Sequence, residues 1–257
     1  MGNETLLLTG DDTVAVLTLT RAHCLDIAGK HALLDAVNSL SGRAKLRSLV
    51  INANDPRAWL VNVAELVDMG PADARAFSRR GHELADALTR LPVPVIAAVD
   101  APALGGGCEL VLACDITLAG PLARFGQIEA LGGVLPAFGG TWRLGRRVGY
   151  QRAMRMLFTA EVIDAEVAKA IGLVLDVAPS AELMDRAQAL AVQIAKTSGQ
   201  SVAAIKRVVE AGTHAAPSVI SALEEEAFSS LFGTEDQQAR MRAFLASQTA
   251  NQQEAKQ

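Results

Sequence analysis

The chain has 257 residues, half of them hydrophobic, with a formal net charge of −4 and a mean hydropathy of +0.24. This length is sufficient for one large domain with a substantial core, with or without a helical appendage. The small acidic charge argues against the basic footprint of a nucleic-acid-binding protein. The high mean hydropathy predicts apolar surface that is buried between subunits.

The N-terminus and the cysteines favour the cytoplasm. The first residues contain no basic region followed by an apolar core, so we expect no secretory signal. Prolines, glycines and acidic residues interrupt the apolar stretch at residues 93–118, which excludes a membrane-spanning helix there. The cysteines are odd in number and form no CxxC pair, which argues against a disulfide framework or a zinc site: Cys24, Cys108 and Cys114.

The N-terminal half is predicted to alternate strands and helices. Two apolar runs at residues 5–9 and 14–20 flank a Gly-Asp-Asp turn, which predicts a β-hairpin. The next elements are predicted in this order: a helix at 30–45, a buried strand at 47–53, a helix at 71–91 that begins at Pro71, and a buried strand at 93–99.

The second half opens with a glycine-rich turn at residues 105–107 and becomes mainly helical after Gly145. A strand is predicted at 116–119, a second glycine-rich region at 126–140, helices at 148–159, 164–171, 181–198, 200–211 and 217–232, and a frayed polar tail at 247–257. Strands joined by crossover helices predict a layered α/β core. We expect this core at residues 1–190 and a helical region at 191–257.

Residues 96–115 carry the strongest chemical signal, a strand followed by three glycines and a helix. The glycines allow the backbone to approach a ligand closely. The first turn of the helix offers free N–H groups and the positive end of the helix dipole, which can hold a developing oxyanion. Glu109 lies in this first turn, where a carboxylate also suits a purely structural capping role.

A second carboxylate, Glu129, follows 20 residues later, after a predicted strand that returns the chain toward the glycine turn. Two carboxylates that converge on one pocket suit general acid/base catalysis. The spacing alone leaves their convergence open.

These segments resemble the enoyl-CoA hydratase/isomerase (crotonase) family, and most closely its hydratases. The resemblance runs from about residue 91 to residue 175, through PVIAAVDAPALGGGCELVLACDITLAG, ARFGQIEALGGVLPAFGGTWRLGRRVG and FTAEVIDAEVAKAIGLVLDV, and more weakly to the N-terminal hairpin and GTEDQQARMRAF. It implies an α/β spiral of strand–strand–helix turns with a C-terminal helical trimerisation region, assembled as a homotrimer or a dimer of trimers. It also implies an acyl-CoA thioester as substrate, with no cofactor beyond that CoA.

The resemblance assigns roles to individual residues. The N–H groups of Gly106 and Val63 would polarise the thioester carbonyl, Glu109 would activate the water that attacks Cβ, and Glu129 would give a proton to Cα. The presence of both acids favours hydration over the related activities. Substrate contacts are implied at Arg21, Val61, Ala64, Leu104, Gly105, Leu131, Gly132 and Phe244.

Several segments depart from the family pattern. Where the family has Phe-x-Ala-Gly-Ala-Asp, residues 59–65 read WLVNVAE, so that Asn62 replaces the glycine. The β-branched Val63 is expected to narrow the acyl or thioester pocket. Asn tolerates unusual backbone angles, so the N–H donor can survive. Ala137 replaces a glycine of Pro-Gly-x-Gly-Gly-Thr-Gln, and Ser247 stands where a CoA-contacting lysine is common. These departures leave open which acyl group the protein accepts. They also leave open whether the thioester is one of CoA or of a carrier protein.

Other reactive residues are assigned to packing or to the surface. Cys108 adjoins the glycine turn but has no histidine near it in sequence, which favours a buried packing role over a nucleophile. No metal site is predicted, because no histidine shows ligand spacing: His23, His31, His82 and His214. Three functions remain: hydration of a 2-enoyl-CoA, another crotonase-type reaction (isomerisation, hydrolysis or carbon–carbon cleavage), and catalytically weak acyl-CoA binding.

Overall fold

The computed structural model describes residues 5–212 and 215–254. The predicted N-terminal hairpin is confirmed, because β1 (Leu6–Gly10) pairs antiparallel with β2 (Val14–Leu19). The Asp11 carboxylate accepts the N–H groups of Thr13 and Val14, which stabilises the turn between the strands.

The main sheet grows from this hairpin by parallel strands. These are β3 (Ser48–Ala53), β4 (Val95–Val99), β6 (Ile116–Ala119) and β9 (Asp176–Val177), and the sheet order is β1-β2-β3-β4-β6-β9. Parallel neighbours require crossover connections. Helix α1 (Ile27–Leu40) supplies the crossover from β2 to β3, and α2 (Pro71–Arg90) supplies the one from β3 to β4. The predicted mixed α/β architecture is confirmed.

The strands β2, β3 and β4 at the centre of the main sheet are buried on both faces. On one face Leu49 and Ile51 pack in the same cluster as Leu33 of α1 and Leu88 of α2. On the other face Val50 packs in a second cluster with helix α7 (Leu183–Ala195). Burial on both faces explains why the strands are continuous apolar runs rather than alternating ones.

A second, smaller sheet was not predicted from the sequence. It consists of β5 (Pro102–Leu104), β7 (Arg124–Gly126) and β8 (Ile163–Asp164). β5 pairs in parallel with β7, so that Leu104 lies opposite Gly126. This pairing returns the chain to the glycine turn where α3 (Gly106–Leu112) begins.

The C-terminal half is helical, as predicted, although several bounds differ. The helices are α4 (Gly140–Val148), α5 (Tyr150–Thr159), α6 (Ala165–Ala170), α7, α8 (Gly199–Gly212), α9 (Pro217–Leu231) and α10 (Glu235–Glu254). The predicted fraying of residues 247–254 is wrong, because these residues belong to α10; residues 255–257 lie outside the described part. None of the described helices is long and apolar enough to cross a membrane.

The chain divides into two compact units between Ala195 and Lys196. The first unit contains both sheets, and the second contains α8, α9 and α10. The division follows the end of α7, whereas the expected division at residues 190/191 lies within that helix.

Candidate active site

The glycine turn joins β5 to α3 in a conformation that requires glycine. Gly105 has φ 56°, in the left-handed region that other residues rarely adopt. Gly106 is the first residue of α3, so its N–H has no acceptor within that helix. The described residues supply it with no other hydrogen-bond acceptor. This N–H is therefore available to a ligand, and its role as an oxyanion donor stays a prediction.

The altered loop at residues 59–65 packs directly against the glycine turn. A Cβ added at Gly107 would collide with the Trp59 carbonyl, and one added at Gly106 would lie 2.7 Å from Cγ2 of Val61. Only glycine permits this approach. The structure thus brings Val61 to the turn, while Val63, 65% exposed, begins a short 3-10 helix (Val63–Glu65).

Glu109 is a buried carboxylate in the first turn of α3, only 1% exposed. Its Oε1 accepts the N–H groups of Phe138 and Gly140, both at 2.7 Å, and its Oε2 accepts that of Ala137 at 3.3 Å. The carboxylate therefore caps the N-terminus of α4. Burial raises the pKa of Glu109, whereas these hydrogen bonds and the nearby Arg143 guanidinium act in the opposite direction.

Glu129 lies at the same turn, on a second 3-10 helix (Glu129–Gly132). A Cβ added at Gly105 would be 3.0 Å from its Oε1. The structure therefore brings the two predicted acids together. Burial and then the charge of Glu109 raise the pKa of Glu129 to about 7.

The environments of Glu109 and Glu129 favour different protonation states. Two negative charges in one buried site disfavour each other, so the pair holds a proton at higher pH than isolated carboxyls do. Backbone N–H groups outside its own helix stabilise ionised Glu109, whereas Glu129 is opposed by both burial and charge. This arrangement suits Glu109 as the base and Glu129 as the proton donor.

The sequence predicted no site role for two further residues. Gln127 is buried, and its amide nitrogen, when directed at Glu129, lies 3.2 Å from both carboxylate oxygens. The Phe138 ring approaches α3 so closely that a Cβ at Gly106 would be 2.6 Å from its Cε2. Gln127 lies in the motif FGQIE, two residues before Glu129. This position in the motif is the only sequence signal for Gln127.

The other predicted substrate contacts are spread over the chain. The Arg21 guanidinium donates to the Asp26 carboxylate at 2.8 Å and to Thr5 and two carbonyls, within a half-buried network. The Ala64 N–H donates to the Asn62 side chain. The remaining positions are Leu104 in β5, the exposed Leu131 and Gly132 near Glu129, and the exposed Phe244 in α10. Their substrate roles stay predictions.

Cys108, the alternative nucleophile, lies in an environment that disfavours its thiolate form. Burial, with the charges of Glu129 and Glu109, raises the pKa of the Cys108 thiol to about 12, so it is not a thiolate at neutral pH. Among the described residues, no group of three or more His, Cys, Asp or Glu side chains is arranged to hold a metal ion. His214 lies outside the described residues.

Comparison with known proteins agrees with this architecture. The enoyl-CoA hydratase/isomerase family model matches residues 9–254. The chain is 34% identical to the short-chain-enoyl-CoA hydratase of Clostridium acetobutylicum, over 93% of this chain and 94% of that protein. It is also 34% identical to the crotonyl-CoA hydratase of Syntrophomonas wolfei, over 98% of both.

A solved structure extends the agreement to the fold. The enoyl-CoA hydratase from Bacillus anthracis matches with a TM-score of 0.88 and 26% identity, over 95% of this chain and 97% of that one. The chain therefore belongs to the enoyl-CoA hydratase/isomerase family. The resemblance seen in the sequence and the predicted crotonase-like fold class are both confirmed. The relatives named here are hydratases, which are hydro-lyases.

Proposed function

We propose that the protein hydrates a 2-enoyl-CoA thioester to a 3-hydroxyacyl-CoA. The observation that carries this proposal is the pair of carboxylates, Glu109 and Glu129, that meets at a glycine turn with an available N–H. The names of the relatives from Clostridium acetobutylicum and Syntrophomonas wolfei support the same reaction.

In the proposed reaction the thioester carbonyl accepts the N–H groups of Gly106 and Val63. Negative charge that develops on this oxygen when water adds at Cβ is stabilised by these donors and by the positive end of α3. The position of Gly106 at the start of α3 supports this role. The second donor comes from the loop in which Asn62 and Val63 replace the usual residues.

Glu109 takes a proton from the attacking water, and Glu129 delivers a proton to Cα. Oε1 of Glu109 already accepts two short hydrogen bonds, so Oε2, with one longer contact, is the oxygen that receives the proton. The oxygen of water becomes bonded to Cβ and the enolate is protonated at Cα. Return of the proton from Glu109 to Glu129, through exchange with solvent, completes the cycle.

The proposal also includes the cellular location, the cofactor requirement and the oligomeric state of the enzyme. We place it in the cytoplasm, with no cofactor beyond the CoA of its substrate. We also propose a homotrimer or a dimer of trimers, supported by large apolar side chains that are exposed in the second unit: Ile205, Val209, Phe228 and Phe232.

The proposal is tested by the loss of the conjugated-enoyl absorbance of crotonyl-CoA and longer 2-enoyl-CoAs. Wild-type protein is expected to turn over, and Glu109→Gln and Glu129→Gln are each expected to lose roughly 10²–10⁴ in kcat. A folded wild-type protein that turns over no 2-enoyl-CoA would refute hydration. Tight acyl-CoA binding without turnover would instead support the binding function.

A further inference from the structure

Lys30 is a buried cation in α1 that the proposed reaction does not use. Its side chain is among the largest fully buried ones, with the residue only 1% exposed. The ammonium donates to the Phe77 carbonyl at 3.3 Å and lies 2.8 Å from the centroid of the Phe77 ring. In the described part of the chain, no carboxylate lies within ion-pair distance of it. A buried charge without a carboxylate partner is costly.

Phe138 connects Lys30 to the proposed active site. The Lys30 ammonium lies 4.7 Å from the centroid of the Phe138 ring, which also packs on the Phe77 ring at 5.4 Å. The Phe138 ring contacts Gly106, and the Phe138 N–H donates to Oε1 of Glu109. One residue thus touches the ammonium, the glycine turn and the proposed base.

Charged groups face Lys30 from each neighbouring element. Burial lowers the pKa of the Lys30 ammonium to about 7; the charges of Glu65, Asp26 and Glu109 oppose this, and that of Arg80 adds to it. Two of these acids have other partners. Asp26 accepts from Arg21 and from the Gly29 N–H, and Glu65 accepts the Ile27 N–H.

We propose that Lys30 is a positioning residue of the active site, whose charged form holds the Phe138 ring against Gly106 and favours the ionised form of Glu109. A cation over an aromatic face is attracted electrostatically, and this attraction disappears when the amine loses its proton. Deprotonation also removes a positive charge that favours ionised Glu109. Both losses weaken the site without any contact between Lys30 and the substrate.

The test compares Lys30→Met with wild type in the hydration of crotonyl-CoA across pH, and so rests on the proposed function. Methionine has similar length without charge. At about pH 6 we expect kcat of the variant to be roughly tenfold lower, as a desolvated cation–π contact permits, with KM changed less than about threefold. Above about pH 9, where wild-type Lys30 is itself neutral, the two rates are expected to converge.

Two matched variants sharpen this comparison. Lys30→Arg keeps its charge at all accessible pH, so its rate relative to wild type is expected to rise with pH. Lys45→Met removes an exposed lysine whose only described ion pair is with the exposed Asp12, and it is expected to match wild type throughout. A Lys30→Met/wild-type rate ratio that stays constant with pH would overturn the proposal, because a purely structural role predicts that result.

A second readout does not depend on turnover. NMR titration of the Lys30 amine in wild type and in Glu109→Gln measures the charge coupling directly. Because the charge of Glu109 raises the pKa of Lys30, the glutamine variant is expected to titrate at lower pH. An unchanged titration would overturn the coupling even if crotonyl-CoA is hydrated. A shifted titration in a protein that hydrates nothing would refute only the proposed reaction.

Discussion

Glu129→Gln is expected to stabilise the folded protein, by an amount that depends on pH. The folded state raises the pKa of Glu129 from its ordinary 4.5 to about 7, chiefly through burial and secondly through the charge of Glu109. Between these values the folded protein binds more protons than the unfolded chain, so its stability falls as pH rises from about 4.5 to about 7. Above that window the full penalty remains.

The size of this penalty follows from the shift. About two and a half pH units at 1.36 kcal/mol each give roughly 3 kcal/mol at pH 8, and none of it is present below about pH 4.5. Glutamine is similar in shape and does not titrate. The variant should therefore gain roughly 3 kcal/mol over wild type at pH 8 and much less at pH 5.

Urea unfolding at fixed protein concentration, at both pH values, measures this gain. The exposed Glu166→Gln on α6 provides the control and is expected to stay within about 0.5 kcal/mol of wild type at both. Part of the shift comes from Glu109, so the gain should shrink in a Glu109→Gln background. An equal gain at pH 5 and pH 8, or a loss at pH 8, would refute this account of the acid pair.

Two further predictions concern the glycine turn and the cysteines. Gly107→Ala is expected to destabilise the protein by about 3 kcal/mol or more in the same unfolding assay, since its Cβ would collide with the Trp59 carbonyl; Gly132→Ala, with open space around it, should cost under about 1 kcal/mol. Equal effects would contradict the packing of the loop on the turn. Cys24, Cys108 and Cys114 are all buried, so iodoacetamide should label the protein only after unfolding, as mass spectrometry will show; native labelling at Cys108 would contradict its raised pKa.

The alternation of strands and helices could be predicted because each element has its own apolar pattern. The helix at Pro71–Arg90 begins at its proline, and the strand at Val95–Val99 is a continuous apolar run. Such signals are local and survive in a single sequence. The short strands of the second sheet carry no comparable pattern, because two or three residues do not define a period.

The meeting of Glu109 and Glu129 could not be predicted from local pattern for the same reason. It depends on the pairing of Leu104 with Gly126 across two three-residue strands, which is a tertiary contact. The family resemblance supplied the pair instead. The N–H groups around Glu109 could not be read from spacing either, because they come from the folded loop at residues 136–140.

Lys30 did carry a sequence signal. It precedes Leu33 by three residues and Val37 by seven, so it lies on the same face of α1 as these buried side chains. A polar residue in phase with an apolar face is buried against expectation, and such conflicts often mark functional sites. Here the conflict marks a buried cation next to Phe138, whose N–H donates to Glu109.

Isotope labelling of the product tests the central claim most directly. Wild-type protein and crotonyl-CoA in water enriched in oxygen-18 and deuterium should give 3-hydroxybutyryl-CoA with the heavy oxygen at Cβ and one deuterium at Cα. Glu109→Gln and Glu129→Gln should form this product at rates lower by roughly 10²-fold or more. A product without solvent oxygen, or unchanged rates in both variants, would contradict hydration by this pair of glutamates.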